Sequence, residues 1–272
     1  MIKSLFSGIT GLQANTERLG VIGDNIANVG TNGFKGGRMD FANLLSQSVG
    51  GFTGQEVGSG VATGKLSRDW TQGSVQTTSN VTDLAINGNG FFVVKPEGED
   101  AEASEAYYTR AGMFHFDKDG YLVDNNGYRV QGFDEEGTTG DLKDIKIEIG
   151  EEEEIPSIQI DGSGQITLYI SEDPNGESGG RIAVAGFPCN WGLAAMDRNL
   201  YKQTNLSGEP ITDGAPGTVG KGVIASYSLE MSNVDLAKEF GDMITTQRSF
   251  QAAAKVVTAS DEVLQQLLGI KR

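Results

Sequence analysis

Two apolar rows with a seven-residue period, one at each end and about 200 residues apart, constrain this chain more than any other feature. Leu5, Leu12, Leu19 and Ile26 fall seven apart near the N-terminus, and Ile2 and Ile9 begin a companion row that weakens at Thr16 and Gly23. Leu236, Met243, Phe250, Val257 and Leu264 repeat the spacing near the C-terminus, beside a companion row through Phe240, Ala254 and Leu268. Rows of this kind predict helices over about 1–28 and 234–268, the second capped by Ser232 or Asn233. Gly8, Gly11, Gly20 and Gly23 interrupt the first, each costing up to about 1 kcal/mol in helix propensity. Both helices should therefore be weak alone. If they pair, the chain ends meet and everything between is an insertion. Each seam is narrow, so a lone pair leaves apolar surface that other copies can cover. The alternative is two ordinary surface helices of a globular domain.

The 39 glycines and alternating apolar residues of the middle predict strands and turns. Leu84–Val94 reads as strand, glycine turn, strand. Phe114 and Phe116, a turn at 117–120, Tyr121 and Val123, a turn at 125–127, then Tyr128 and Val130 read as a hairpin ladder. Further strands are expected near 145–149, 157–161, 165–170, 181–187 and 222–230, with solvated loops at 151–154 and 172–180. The fold class is mainly β with α-helical termini. Its expected divisions are a paired helical domain (1–28 with 232–272), an irregular connector (29–70) and a β-rich domain (71–231).

The formal net charge is −16, and the middle carries nearly all of it, since both helical ends are close to neutral. Neutral ends fit packing and an acidic middle fits water. The charge also disfavours nucleic acid, whose phosphates it would repel. No run is long and apolar enough for a membrane span: Ile182–Met196 is short and holds Pro188 and Asn190. The first residues after Lys3 are too rich in glycine and hydroxyls for a cleaved signal peptide.

Chemical motifs are weak throughout. One cysteine, Cys189, and one histidine, His115, exclude sites needing several such ligands. A Ser-His-Asp system would need His115, which reads as a strand residue between two aromatics. Gly220-Lys221, Gly64-Lys65 and Gly88-Asn-Gly90 each lack residues that a phosphate loop or dinucleotide fingerprint requires. Asp117, Asp119 and Gly120 suggest a calcium loop, but Tyr121 stands where a ligand belongs. Trp70 and Trp191 read as core or interface residues. A secreted carbohydrate-active enzyme with a carboxylate pair is the competing class, and no particular pair marks it. No catalytic residue, cofactor or metal ligand is expected.

The segment Asp24-Asn-Ile-Ala-Asn-Val-Gly-Thr-Asn-Gly-Phe-Lys35 closely resembles the N-terminal signature of bacterial flagellar rod, hook and hook-associated proteins. Asp24 departs from the asparagine usual there. Asn25, Asn28, Thr31, Gly33, Phe34 and Lys35 match the pattern. Ser232–Leu236, Met243–Gln251 and Ser260–Gln265 are similar to the family's closing helix. Gln72–Ser74, Asp83–Val93 and Tyr108–Gly112 are similar to its β-domain. The resemblance implies a structural subunit that polymerises into a hollow helical tube through its terminal helices. It implies neighbouring rod or junction proteins and a hook cap as partners, and a flagellar location. Export would use the flagellar type III apparatus without signal-peptide cleavage. Asn25 and Asn28 would cap or cross-link the helix end, Gly33 would allow a turn, and the connector would link subunits and set rigidity. The 246–252 and 267–272 segments point to the hook, whereas the length suits the distal rod. The hook is the first expectation and the rod the alternative.

Overall fold

A computed structural model describes residues 2–44, 47–48, 56–96, 106–133, 142–147, 157–169, 177–212, 214–218 and 220–270. The chain divides into two compact units, one of 1–29, 35–69 and 234–272 and the other of 30–34 and 70–233.

The first unit holds helix α1 (Ile2–Ala27) and helix α2 (Leu236–Ile270). Both lie close to the expected spans, because the seven-residue rows gave each helix an apolar stripe to bury. The α2 cap differs from expectation. Asp235, immediately before the first helical residue, accepts hydrogen bonds from the Ala237 and Lys238 N–H groups at 2.9 and 3.4 Å. Asn233 instead donates to the Thr71 carbonyl and hydroxyl. The segment expected to be an irregular connector also contains structure. Strand Gly37–Asn43 pairs antiparallel with strand Val61–Arg68, with a register irregularity between Met39 and Phe41. Its polar, glycine-rich sequence hid the ladder because strand pairing here is stabilised by packing on α1. Val61 N–H donates to Thr10 Oγ1, and the Gly37 backbone lies against Val21.

In the second unit every strand pairing among the described residues is antiparallel. The main sheet runs, from one edge, Ser157–Ile160, Gln165–Tyr169, Glu177–Ile182, Arg129–Phe133, Phe91–Lys95, Tyr107–Thr109, Leu200–Lys202 and Ala194–Ala195. The hairpin ladder read from the sequence is present: Phe114–Phe116 pairs with Leu122–Asp124, which pairs with Arg129–Phe133. Gly120 and Gly127 N–H groups close the two turns onto the Asp117 and Asp124 carbonyls. Leu84–Asn87 and Phe91–Lys95 do not pair with each other as a hairpin would. The first pairs with Val223–Ser226, whereas the second joins the main sheet. Part of the expected loop at 172–180 is also strand, since Glu177 and Ser178 sit opposite Leu168 and Thr167. The rest of that loop and the acidic run at 151–154 lie outside the described residues.

Two layers of core follow from strand alternation. Phe92 and Val94 face one layer with Leu84, Ile86, Leu122, Val130, Ile166 and Ile182. Phe91 and Val93 face the other with Tyr108, Phe133 and Tyr201, backed by Trp70, Phe187 and Leu193. Trp70 meets Phe91 and Tyr201 edge-on at 5.4 and 5.0 Å. Burial pushes the Tyr108 phenol up to about 12.

Asp124 is buried at the end of its strand, and burial raises its carboxyl above the ordinary range. Hydrogen bonds from Asn126 and Asn125 and the nearby His115 oppose the rise. The folded chain thus holds this proton more tightly than the unfolded chain. Its stabilising contribution is complete below the unfolded value of about 3.9 and is lost as pH rises through the folded value. Asp124→Asn cannot ionise, so its melting temperature should gain on the wild type as pH rises from about 3 to 7. Parallel melting curves across that range would contradict this.

Candidate assembly interface

Helices α1 and α2 pack antiparallel, as their contacts show in sequence. Ser4 Oγ lies 3.4 Å from Ser260 Oγ, Gly8 abuts Val257, Gly11 abuts Ala253, and Arg18 Nη2 reaches Asp242 Oδ1 at 3.5 Å. A Cβ at Gly8 would lie 2.8 Å from Val257 Cγ2. The two backbones can come this close only because Gly8 has no side chain. The glycines read as weak points of the seam therefore divide. Gly8 and Gly11 are the contact itself, whereas a Cβ added at Gly20 or Gly23 would meet no neighbouring segment within 4 Å among the described residues. Spacing could have revealed the first two, because Gly8, Gly11, Asn15 and Arg18 recur every three or four residues on one face.

This close approach shifts the buried line away from the predicted row. The α1 residues most enclosed are Gly8, Ala14, Ile22 and Asn25, and on α2 it is Thr246. Leu5, Leu12, Leu19 and Ile26 are half-buried, as are Met243, Val257 and Leu264. Leu236 and Phe250 are exposed. A heptad row marks the side of a helix that seeks cover, but the smallest residues beside it decide where two helices touch.

Much apolar surface remains open on the pair. On α1, Phe6 is 60% exposed and Ile9 is exposed. On α2 two separate edges flank the line facing α1. Leu236, Phe240 and Ile244, four apart, form one; Val256, Val263 and Leu267 form the other. The strand pair adds Phe41, over which the Arg18 guanidinium sits at 5.9 Å, and Leu66. A polar helix face would need no neighbour, and two apolar edges on one helix suit neighbours on both sides.

The signature residues fall into both units. Asn25 is buried and makes a two-way bridge to one residue: its Nδ2 donates to the Gly37 carbonyl at 2.9 Å and its Oδ1 accepts from the Gly37 N–H at 2.8 Å. It thus ties the end of α1 to the first strand. Asn28 Nδ2 donates to the Asp24 carbonyl and carboxylate, closing the last helical turn. Lys35 is buried and its carbonyl accepts from Arg68 Nη1.

Within the second unit, the Thr31 carbonyl accepts from the Phe34 N–H, and Phe34 is buried. Gly33 has φ +70°, and a Cβ there would lie 2.6 Å from the Arg110 and Ala111 backbone. Its N–H donates to the Glu230 carbonyl at 2.7 Å. The Glu230 carboxylate is buried against Arg110 Nη1 at 3.1 Å and also accepts from the Gly73 N–H. Arg110 further donates to the Ile86 and Gly88 carbonyls. Sequence reasoning missed this buried ion pair, since its partners stand far apart in the chain.

Three family descriptions match along the chain in order. Residues 5–35 match "Flagella basal body rod protein", 85–168 match "Flagellar hook protein FlgE/F/G D1 domain", and 225–270 match "Flagellar basal body rod FlgEFG protein C-terminal". The chain is 37% identical to the flagellar basal-body rod protein FlgG of Bacillus subtilis over 282 residues, covering all of both chains. It is 33% identical to FlgG of Borreliella burgdorferi over 284 residues, again covering all of both. With the flagellar hook protein FlgE of the same organism it is 28% identical, over 448 residues and all of both chains.

Gly8→Leu should separate α1 from α2 and abolish assembly while leaving the second unit's melting unchanged; retained assembly would refute the close contact. Gly33→Ala and Arg110→Met should each lower the second unit's stability by about 3 kcal/mol, one through backbone strain and clash, the other by stranding a buried carboxylate. Denaturant melts followed by tryptophan fluorescence check both.

Proposed function

Because the chain belongs to the flagellar rod and hook family, we propose that it is a structural subunit of the distal rod, polymerising into a hollow helical tube that carries torque outward from the motor. The observation that carries the rod reading is the length of the matches. The rod relatives align end to end over 282 and 284 residues, whereas the hook relative stretches the alignment to 448 against this chain's 272. This favours the rod over the hook expectation drawn from local segments. The relatives' names are those of flagellar structural proteins rather than enzymes, which weighs against the carbohydrate-active alternative.

The terminal helices form the inner domain in this reading. Leu5, Leu12, Leu19, Ile26, Leu236, Met243, Phe250, Val257 and Leu264 are its seam, together with the exposed edges of α2. Covering such a side chain contributes about 1.5–3 kcal/mol when burial is complete. Contacts between different patches add copies in an open helix rather than a closed ring. The strand pair on α1 would stiffen each subunit and help keep the tube straight. Neighbouring rod and junction proteins would meet its two ends. The subunit would leave the cell through the flagellar type III apparatus, with a cap protein guiding assembly. Weak terminal helices suit that route, since they fold fully only against neighbours.

Immunogold labelling of basal bodies purified from the source bacterium tests this. Gold along the straight rod is expected, whereas gold along the curved hook would return the assignment to the hook. Concentrated full-length protein should also form hollow filaments under negative stain, and protein lacking residues 1–28 should not.

A further inference from the structure

An aspartate or asparagine followed by glycine can close a ring on the next backbone nitrogen, because glycine leaves that nitrogen unhindered. Such pairs recur along this chain, and the fold directs most of the described glycine nitrogens elsewhere. The Gly33, Gly88, Gly120 and Gly127 N–H groups donate to the Glu230 carbonyl, Gln72 Oε1, the Asp117 carbonyl and the Asp124 carbonyl, at 2.7, 3.0, 2.9 and 2.8 Å. After Asn89, Gly90 is buried against Val184, and the Asn89 carbonyl is held by the Gly222 N–H at 2.6 Å. Asn175 and Asp213 lie outside the described residues.

Asp161-Gly162 is arranged differently. The Gly162 N–H turns back on the preceding side chain and donates to Asp161 Oδ1 at 2.5 Å. The nitrogen thus stands beside the carboxyl group that it would attack. Asp161 is exposed, so water and dissolved bases reach it. Ser163 Oγ donates to the other carboxyl oxygen, Oδ2, at 3.3 Å. The surrounding turn is fixed. Asp161 N–H donates to the Gln165 carbonyl and Gly164 N–H to the Asp161 carbonyl, while the Ile224 and Ile182 N–H groups donate to the Gly162 and Gly164 carbonyls. Holding the reacting groups together lowers the entropic part of a barrier, and a hydroxyl aimed at the oxygen that gains charge lowers the electrostatic part.

We propose that Asp161 is a site of spontaneous isomerisation to isoaspartate, with the Ser163 hydroxyl as the donor that steadies the developing charge. The Gly162 nitrogen gives its proton to solvent and bonds to Asp161 Cγ. Negative charge collects on the oxygen that accepts from Ser163. The other oxygen, protonated, leaves as water and closes a cyclic imide. Water then adds to one of the imide carbonyls. Addition at Cγ restores aspartate. Addition at the main-chain carbon routes the chain through the side chain and frees the former backbone carboxyl. One water leaves and one returns, and nothing is oxidised or reduced. The product lengthens the main chain by a methylene and displaces the Asp161 carbonyl that Gly164 meets, so it weakens the hairpin of Ser157–Ile160 and Gln165–Tyr169 at the sheet edge.

The test incubates the folded full chain in mildly acidic buffer, where a carboxyl oxygen can leave as water. Its peptides are then separated by chromatography with mass spectrometry, since isoaspartyl peptides elute apart at unchanged mass. Asp161 should isomerise about tenfold faster than Asp119, whose glycine N–H is engaged elsewhere. In guanidinium chloride the two Asp-Gly pairs should converge, because only the fold separates them. Equal rates in the folded chain, or a faster Asp119, would overturn the proposal. Among variants that keep the wild-type melting temperature, Ser163→Ala should slow Asp161 about fivefold. An unchanged rate would refute the role of the serine. Asp161→Asn keeps the acceptor oxygen and has ammonia as its leaving group, so it should deamidate faster than Asn126. A lag behind Asn126 would also overturn the proposal.

Discussion

The first unit depends on one close approach, that of α1 to α2 at Gly8. Where Gly8 meets Val257, two helices of modest intrinsic stability gain a partner each, and the ends of the chain are brought into one body. The strand pair then has a surface to lie on, through Thr10, Val21 and Asn25 of α1. A helix with glycine at several interior positions would be unstable in water by itself. Here two of those glycines are the reason the pair can form. Dispersion and apolar burial between closely spaced backbones offset what the helix loses in propensity.

Close pairing also explains what the pair leaves uncovered. A contact made by small residues buries little of the large ones beside it, so Phe6, Phe240, Ile244, Val256 and Val263 stay in water in a single chain. In a globular monomer such surface would be a liability. In a subunit of a polymer it is the means of association. Charge is unevenly placed as well: the first unit holds 10 acids and 11 bases, and the second holds 27 acids and 10 bases. Like-charged surfaces repel, so the nearly neutral helical ends meet less electrostatic resistance to close contact than the acidic unit does.

The second unit solves a different problem, that of returning the chain to a fixed place after a long excursion through β structure. Gly33, Gly73 and Glu230 come from three distant stretches and meet through the Glu230 carbonyl and carboxylate, with Arg110 neutralising the charge. A buried carboxylate is costly unless it is paired and its remaining lone pairs are satisfied. Here each Glu230 carboxylate oxygen has a donor, Arg110 Nη1 on one and the Gly73 N–H on the other, while Arg110 Nε has no hydrogen-bond partner among the described residues. A positive-φ glycine stands in the signature because no side chain fits between Gly33 and the Arg110 backbone.

The sequence by itself determined the helical ends, the β character of the middle, the two Asx-Gly turns of the 114–130 ladder and the family signature. These are local properties: a seven-residue period, alternation of two, and turn residues whose backbone preferences act within four positions. It was blind to the strands at 37–43 and 61–68, to the pairing of 84–87 with 223–226 rather than with its neighbour, and to the cap at Asp235. It also misjudged Gly8 and Gly11, which local propensity can score only as losses. Tertiary structure decided those points, because each depends on what a residue meets across space. A strand without strong alternation forms when a partner and a helix surface are supplied, and a glycine is a defect or a contact according to what lies opposite it.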